Sequence, residues 1–184
     1  KKAAKSIVDA HLDPLLKAAD AIVGKTISLA ERDFSPVANQ SGQESDTNLV
    51  GLIYLYASFW GRVEILRAES LGVSISGDSR GRKLSKFITC FESQRIRLVN
   101  RTHQKAIGEI ATDLLADGGL RTIGVVEFGE KLSASKIAES WCQPLTDNEN
   151  LPAVSLSDGR VVIHRRYMDG PARDPNDDRG WSVV

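Results

Sequence analysis

Residues 49–60 read LVGLIYLYASFW and run without a proline into GRVEILRAES. A helix that is apolar on nearly every side has no face of its own for water, so other parts of the chain, or lipid, must enclose it. Twelve or so apolar residues fall short of the roughly 20 that cross a bilayer. The sequence therefore predicts a central core helix from near Asn48 to about Leu71, and the rest of the chain must cover it.

The cover is mostly helical. Asp13-Pro14 is a start signal, because Asp caps free N–H groups and Pro at the first helical position has no N–H to lose. From there Leu15, Leu16, Ala19, Ile22, Val23, Ile27 and Ala30 recur at helical spacing to about Asp33, where Ser35-Pro36 stops the helix. Residues 35–48 are polar and turn-rich and read as a loop. A third helix is expected from near Ser79 to Ala116, bent at Gly108 and ended by Asp117-Gly118-Gly119. Two shorter helices follow, Gly124 to Leu132 and Ser133 to Cys142, the second with Ala134, Ile137, Ala138 and Trp141 on one face and Pro144 closing it. VSLSDGRVVIHRRY suggests a hairpin about Ser157-Asp158-Gly159 or a last helix over 160–168, with β propensity favouring the hairpin. GPARDPNDDRGWSVV reads as a disordered or surface-laid tail unless Trp181 anchors it. The expected fold is mainly α: an antiparallel bundle of three long and two shorter helices over residues 1–143. An irregular C-terminal segment, 144–184, packs on the bundle or extends from it.

A chain of 184 residues, 41% hydrophobic, suffices for one domain with a real core and no staples. Lys plus Arg and Asp plus Glu both number 24, which removes any global bias toward nucleic acid or anionic membranes. Cys90 and Cys142 stand in neither CxxC nor Cys/His spacing, against a zinc site or a secreted disulfide framework, and fit a reducing cytosol. The opening KKAAKSIV, with no initiator methionine and no signal-peptide pattern, reads as the start of an excised piece.

Residues of the third helix, placed about 100° apart, gather Leu84, Ile88, Phe91, Leu98, Val99 and Ala106 into a core stripe. Lys83, Lys86, Gln94, Arg97, Arg101 and Gln104 collect on an opposite wet, basic face with Lys105 at its edge, within a stretch from Arg80 to Lys105 that holds eight Lys or Arg and one acid, Glu92. That surface is a solvated face or a site for anionic headgroups; it lacks the aromatics that base stacking needs. Arg95, Thr102 and Glu109 fall on the apolar side instead. On the second helix Glu64 and Arg67 align with Tyr56 and Trp60. Because a buried charge is costly unless paired, the two polar lines are expected to face each other, with Glu64 meeting Arg95 or Arg67 and Glu109 meeting a cation or hydroxyl. Such a seam fixes helix register or lines a ligand cleft.

Enzyme motifs are absent: there is no G-x-S-x-G, G-x-G-x-x-G or H-E-x-x-H. GDSRGRKLS at 77–85 resembles a phosphate loop without the Walker spacing. DPNDDRG at 174–180 imitates a calcium loop whose glycine comes one position late. His11, His103 and His164 read as surface or capping residues, and no His is placed to activate Cys90. No metal or cofactor is expected.

The segments DPLLKAAD (13–20), YASFWGRVEILRAE (56–69), RTHQKAIGE (101–109) and, more loosely, GVVEFGEKL (124–132) together resemble an uncharacterised bacterial family of small helical proteins. That resemblance implies a membrane-spanning helix upstream of the DPLL segment, with Lys1, Lys2 and Lys5 as cytoplasmic flanking charges. It brings no activity or catalytic residue. The functional expectation is a non-enzymatic helical interaction module on the cytoplasmic side, membrane-tethered, with a protein partner, an anionic lipid surface or a second copy of itself as counterpart. The alternative is a ligand sensor or enzyme with a polar cleft between the second and third helices.

Overall fold

The computed structural model describes residues 2–32, 43–93, 97–146, 153–157 and 160–164; residues 43–46, residue 146 and the last two segments are described by backbone alone. Over these residues the protein is mainly helical, with six α-helices and two separate two-stranded antiparallel sheets. In chain order they are α1 (Lys2–Ala30), α2 (Gln43–Glu69), a 3₁₀ turn (Ile75–Gly77), α3 (Ser79–Glu92), α4 (Arg101–Ile110), β1 (Thr112–Leu114), β2 (Leu120–Thr122), α5 (Val125–Ala134), α6 (Lys136–Thr146), β3 (Ala153–Ser157) and β4 (Arg160–His164).

As its sequence requires, α2 is central. It touches α1, α4, α5, α6 and β2, and Ile53, Ala57, Phe59, Trp60, Val63 and Leu66 are buried in one cluster. Each such large side chain fully removed from water contributes about 1.5–3 kcal/mol. By length and composition Thr47–Glu69 is a candidate membrane span, yet more than half of its apolar window is buried inside the fold. On one side α1 covers it with Leu15, Ala19 and Ile22, and on another α4 does so with Ile107.

The α2–α4 crossing is set by two glycines. A Cβ at Gly108 would lie 2.8 Å from the Trp60 carbonyl carbon and 2.9 Å from the Gly61 nitrogen; one at Gly61 would lie 3.0 Å from the Gly108 oxygen. Backbone meets backbone there, which side chains on these residues would prevent.

Several boundaries differ from the sequence reading. The first helix begins at Lys2 and carries Pro14 inside it. Proline costs the bond to the carbonyl four residues back, here exposed Ala10, where water replaces the lost donor. The second helix starts at Gln43, inside the expected loop; residues 33–42 lie outside those described. The third helix is two helices. α3 ends with extended Ser93 as its C-cap, and α4 starts anew at Asn100, whose side chain accepts the His103 N–H at 2.9 Å. α4 then stops at Ala111, where the Thr112 hydroxyl donates to the Glu109 carbonyl. Asp117-Gly118-Gly119 is accordingly the turn of the β1–β2 hairpin, not a helix end: Gly118 has φ 83°, and Thr112 pairs with Thr122 and Leu114 with Leu120.

The two shorter helices form close to where they are expected, but α6 runs past Pro144 to Thr146, beyond the expected end of the bundle at residue 143. Its buried face is Ala138, Cys142 and Leu145, with Ile137 exposed, while Ala134 ends α5 and is exposed too. The C-terminal ambiguity resolves to the hairpin, with β3 and β4 antiparallel and Ser157 opposite Arg160. Trp181 and the 174–180 segment lie outside the described residues.

Candidate functional site

The break between α3 and α4 creates a concavity lined by charged side chains from three helices. In one continuous helix Glu92 and Arg101 would be nine residues apart, about 13 Å along the axis. Here Arg101 Nη2 lies 3.9 Å from Glu92 Oε2, because the end of α3 and the start of α4 both close on α2 at Arg67. Arg67 Nη1 donates to Glu64 Oε1 at 2.6 Å and Arg67 Nη2 donates to Glu92 Oε1. Burial by itself would lower the Arg67 pKa; hydrogen bonds and charge from Glu64 and Glu92 outweigh it and leave the guanidinium more firmly protonated than usual. The resulting cleft holds about 160 Å³ between Trp60, Glu64, Arg67, Glu92, Arg101 and Gln104, with Val63 and Lys105 beside them.

The sequence-predicted residues separate into two groups. Glu64 and Arg67 meet, as one of the two expected pairings has it. Thr102 and Glu109 do not join them: both are exposed, and Glu109 faces Lys105 at 3.8 Å. Arg95 lies outside the described residues. Of the basic surface, Lys83 and Lys86 are exposed on α3 and Arg97 is half-buried, while Arg101 and Lys105 rim the cleft.

Glu92 and Gln104 were missed as cleft residues. Gln104, placed by the single-helix phase on the wet face, is only 5% exposed. Its Nε2 donates to the Phe91 carbonyl at 3.4 Å, and its buried Oε1 has no partner among the described residues. The one available signal was Asn100, a favoured N-cap residue that resets the helical phase.

Other chemistry-bearing groups are occupied structurally. Asp78 Oδ1 accepts the N–H groups of Arg80 and Gly81 at the start of α3, and the Gly81 bond, aided by that of Arg80, lowers the Asp78 pKa. The donors that a phosphate loop would offer are thus already taken by a carboxylate. A Cβ at Gly81 would lie 2.1 Å from the Ile75 oxygen, so this glycine serves packing against the 3₁₀ turn. His11 contacts Glu69 at 2.7 Å, and His103 contacts Asn100 and stands edge-on to Trp141. Burial pushes the Cys142 thiol up to about 11, so at neutral pH it is no thiolate nucleophile. No group of three His, Cys, Asp or Glu able to hold a metal occurs among the described residues.

No family model matches the chain, and neither a curated protein nor a solved structure matches it.

Proposed function

We propose that the chain is a non-enzymatic helical interaction module, an antiparallel bundle about α2, whose docking face is the groove between α1 and α3 and whose occupant is a second copy of the chain. One observation carries the reading. Leu16, Val23 and Ile27 share a side of α1 and are 47%, 49% and 46% exposed, where the sequence pattern would bury all three. Large aliphatics left in a line, rather than scattered, mark an interaction face. Phe87 and Phe91 of α3 stand across from Leu16 and Val23, enclosing about 490 Å³ of mostly apolar groove.

Charge argues for a second copy. Asp20 borders the groove on α1, while Lys83 and Lys86 stand on α3 next to the Phe87 edge; none of the three makes an ion pair among the described residues. A patch with both signs beside one apolar stripe is self-complementary, as a two-fold contact requires. Equal numbers of acidic and basic residues leave no long-range repulsion between copies. The proposal includes a cytoplasmic, membrane-tethered position, where confinement would raise the effective concentration of copies.

Sedimentation velocity from roughly 1 to 200 μM tests it, since a reversible dimer forms by mass action. A concentration-dependent dimer is expected, and Leu16→Glu with Val23→Glu should return it to monomer without lowering the melting temperature. A monomer throughout, or a double variant that dimerises unchanged, would overturn the proposal. So would binding of the monomer to phosphatidylserine vesicles through Lys83 and Lys86, which would assign the face to lipid.

A further inference from the structure

We infer that the trough between α1 and α2 at Arg62 binds a small organic monoanion: a carboxylate carrying an apolar body. The Arg62 guanidinium and the Ser58 hydroxyl take the carboxylate, and Pro14, Ala18, Ala21 and Leu55 receive the body. The trough uses a different side of α1 from the one that faces α3 and does not rest on self-association.

Two polar side chains of the trough have no partner. Ser58 lines it and is only 8% exposed. Its hydroxyl makes no hydrogen bond among the described residues, not even the bond to a preceding carbonyl that Thr89 and Ser133 make within their helices. Nor is that oxygen sealed in: the unpartnered atoms closed off from solvent belong to Thr26, Arg62 and Gln104, so the Ser58 hydroxyl opens onto the trough. Arg62, one turn further along α2, is half-buried and makes neither an ion pair nor a hydrogen bond among the described residues. Arg67, Arg80, Arg101 and Arg121, by contrast, all lie within reach of carboxylates. Only its Nε is sealed off, which leaves the two outer nitrogens open where Arg62 lines the trough. Native proteins leave few such groups, and a partly desolvated cation beside an open space asks for an anion from outside the chain.

The remaining lining describes the ligand. Residues 58 and 62 are four apart, so their side chains leave α2 about 5–6 Å from one another and can converge on one group. A guanidinium offers a planar fork of donors that matches the two oxygens of a carboxylate, and a hydroxyl can donate to one of them. Lys17 and Arg62 against Asp13 give two positive groups and one negative, a net +1 that suits a monoanion. Lys17 and Asp13 already engage each other at 2.8 Å, so the uncompensated charge is that of Arg62. Ala18, Ala21 and Ser58 are small where larger side chains would fill the trough, and Pro14 and Leu55 complete its apolar lining. A bare anion would leave that lining wet, whereas a hydrocarbon body covers it. A space of about 400 Å³ equals roughly 13 waters at ~30 Å³ each, enough for a carboxylate with one ring or a short chain.

The test is a titration of the whole chain, at constant ionic strength, with benzoate and hexanoate at up to roughly 10 mM, followed by melting temperature and by NMR. Acetate, inorganic phosphate and benzyl alcohol serve as the bare carboxylate, the other oxyanion and the neutral body. Benzoate or hexanoate should raise the melting temperature and shift the Ser58 amide and Arg62 Nε–H signals, with none of the three comparison compounds matching it. Arg62→Met keeps most of the stem, removes the charge and should abolish binding while its own melt and circular dichroism remain native-like. Arg62→Lys keeps the charge without the fork and should weaken binding about tenfold. Ser58→Ala removes one hydrogen bond and should weaken it by roughly three- to tenfold. No response to either carboxylate, binding that survives Arg62→Met or is as tight in Ser58→Ala, or an equal response to acetate, phosphate or benzyl alcohol would each overturn the inference.

Discussion

Gly108→Ala puts a methyl group where there is only backbone to receive it. Its Cβ would sit 2.8 Å from the Trp60 carbonyl carbon, 2.9 Å from the Gly61 nitrogen and 3.0 Å from the Trp60 oxygen. Carbon atoms pack best at about 3.5–4.0 Å, so the overlap is roughly 0.7 Å or more. No rotamer relieves it, because the opposing atoms belong to the α2 main chain; α4 must move away, opening the contacts of Ile107 and Gln104. Overpacking costs about 1–3 kcal/mol, and rigid opposing backbone argues for the upper end. Alanine returns about 1 kcal/mol through helix propensity. The net expectation is about 2 kcal/mol of destabilisation, or a melting temperature lower by about 4–8 °C for a chain of this size. Urea unfolding followed by circular dichroism reads it, with a lower midpoint and an unchanged slope. Gly24→Ala is the control: it lies inside α1 with nothing within 4 Å of an added Cβ, so the same substitution should stabilise by about 0.5–1 kcal/mol. A Gly108→Ala protein as stable as its parent would refute the close crossing of α2 and α4.

Further tests address other parts of the fold. Arg67→Met leaves two half-buried carboxylates without their shared cation; charge-assisted bonds are worth about 1.5–3 kcal/mol, and with Arg67 nearly half exposed solvent screening reduces the expected loss to about 1 kcal/mol. Restoration of that loss by Glu92→Gln in a double-mutant cycle would show the coupling, and strict additivity would deny it. Cys142 should resist iodoacetamide in the native state at pH 8 while exposed Cys90 reacts, and equal labelling would contradict its burial. Because the Cys142 pKa is raised from 9.0 to about 11, the folded chain holds a proton that the unfolded chain releases in that window. The Cys142 contribution to stability should therefore fall as pH rises from 9 to 11. Cys142→Ala should flatten that decline, and an equally steep one would count against this origin.

What could be read from the sequence depended on whether a signal was local. The apolar stretch 49–60 dictated a buried central helix and needed no partner to say so. Leu16, Val23 and Ile27 carry the same periodicity as Leu15, Ala19 and Ile22, yet only the latter three are buried, since a repeat marks a stripe but not how far a neighbour reaches across it. The candidate site suffered from one phase error. A single helix drawn through residues 93–100 turns Thr102 and Glu109 inward and Gln104 outward; a new helix capped by Asn100 reverses all three. Glu64 and Arg67 were legible because they lie three residues apart on one uninterrupted helix. Their third partner, Glu92, reaches them only through the break, which periodicity could not reveal.

The break between Glu92 and Arg101 underlies both the fold and the cleft, and a distance measured across it is the most direct test. Spin labels at Lys86 and Lys105, both exposed, would be separated by roughly 28 Å along an unbroken helix of 1.5 Å per residue. The close approach of Gln104 to Phe91 requires the two backbone positions to be well inside that, under about 20 Å once five residues of α3 are added. A narrow distribution at the short distance is expected from double electron–electron resonance, and a peak near the long one would contradict the break and the site built on it.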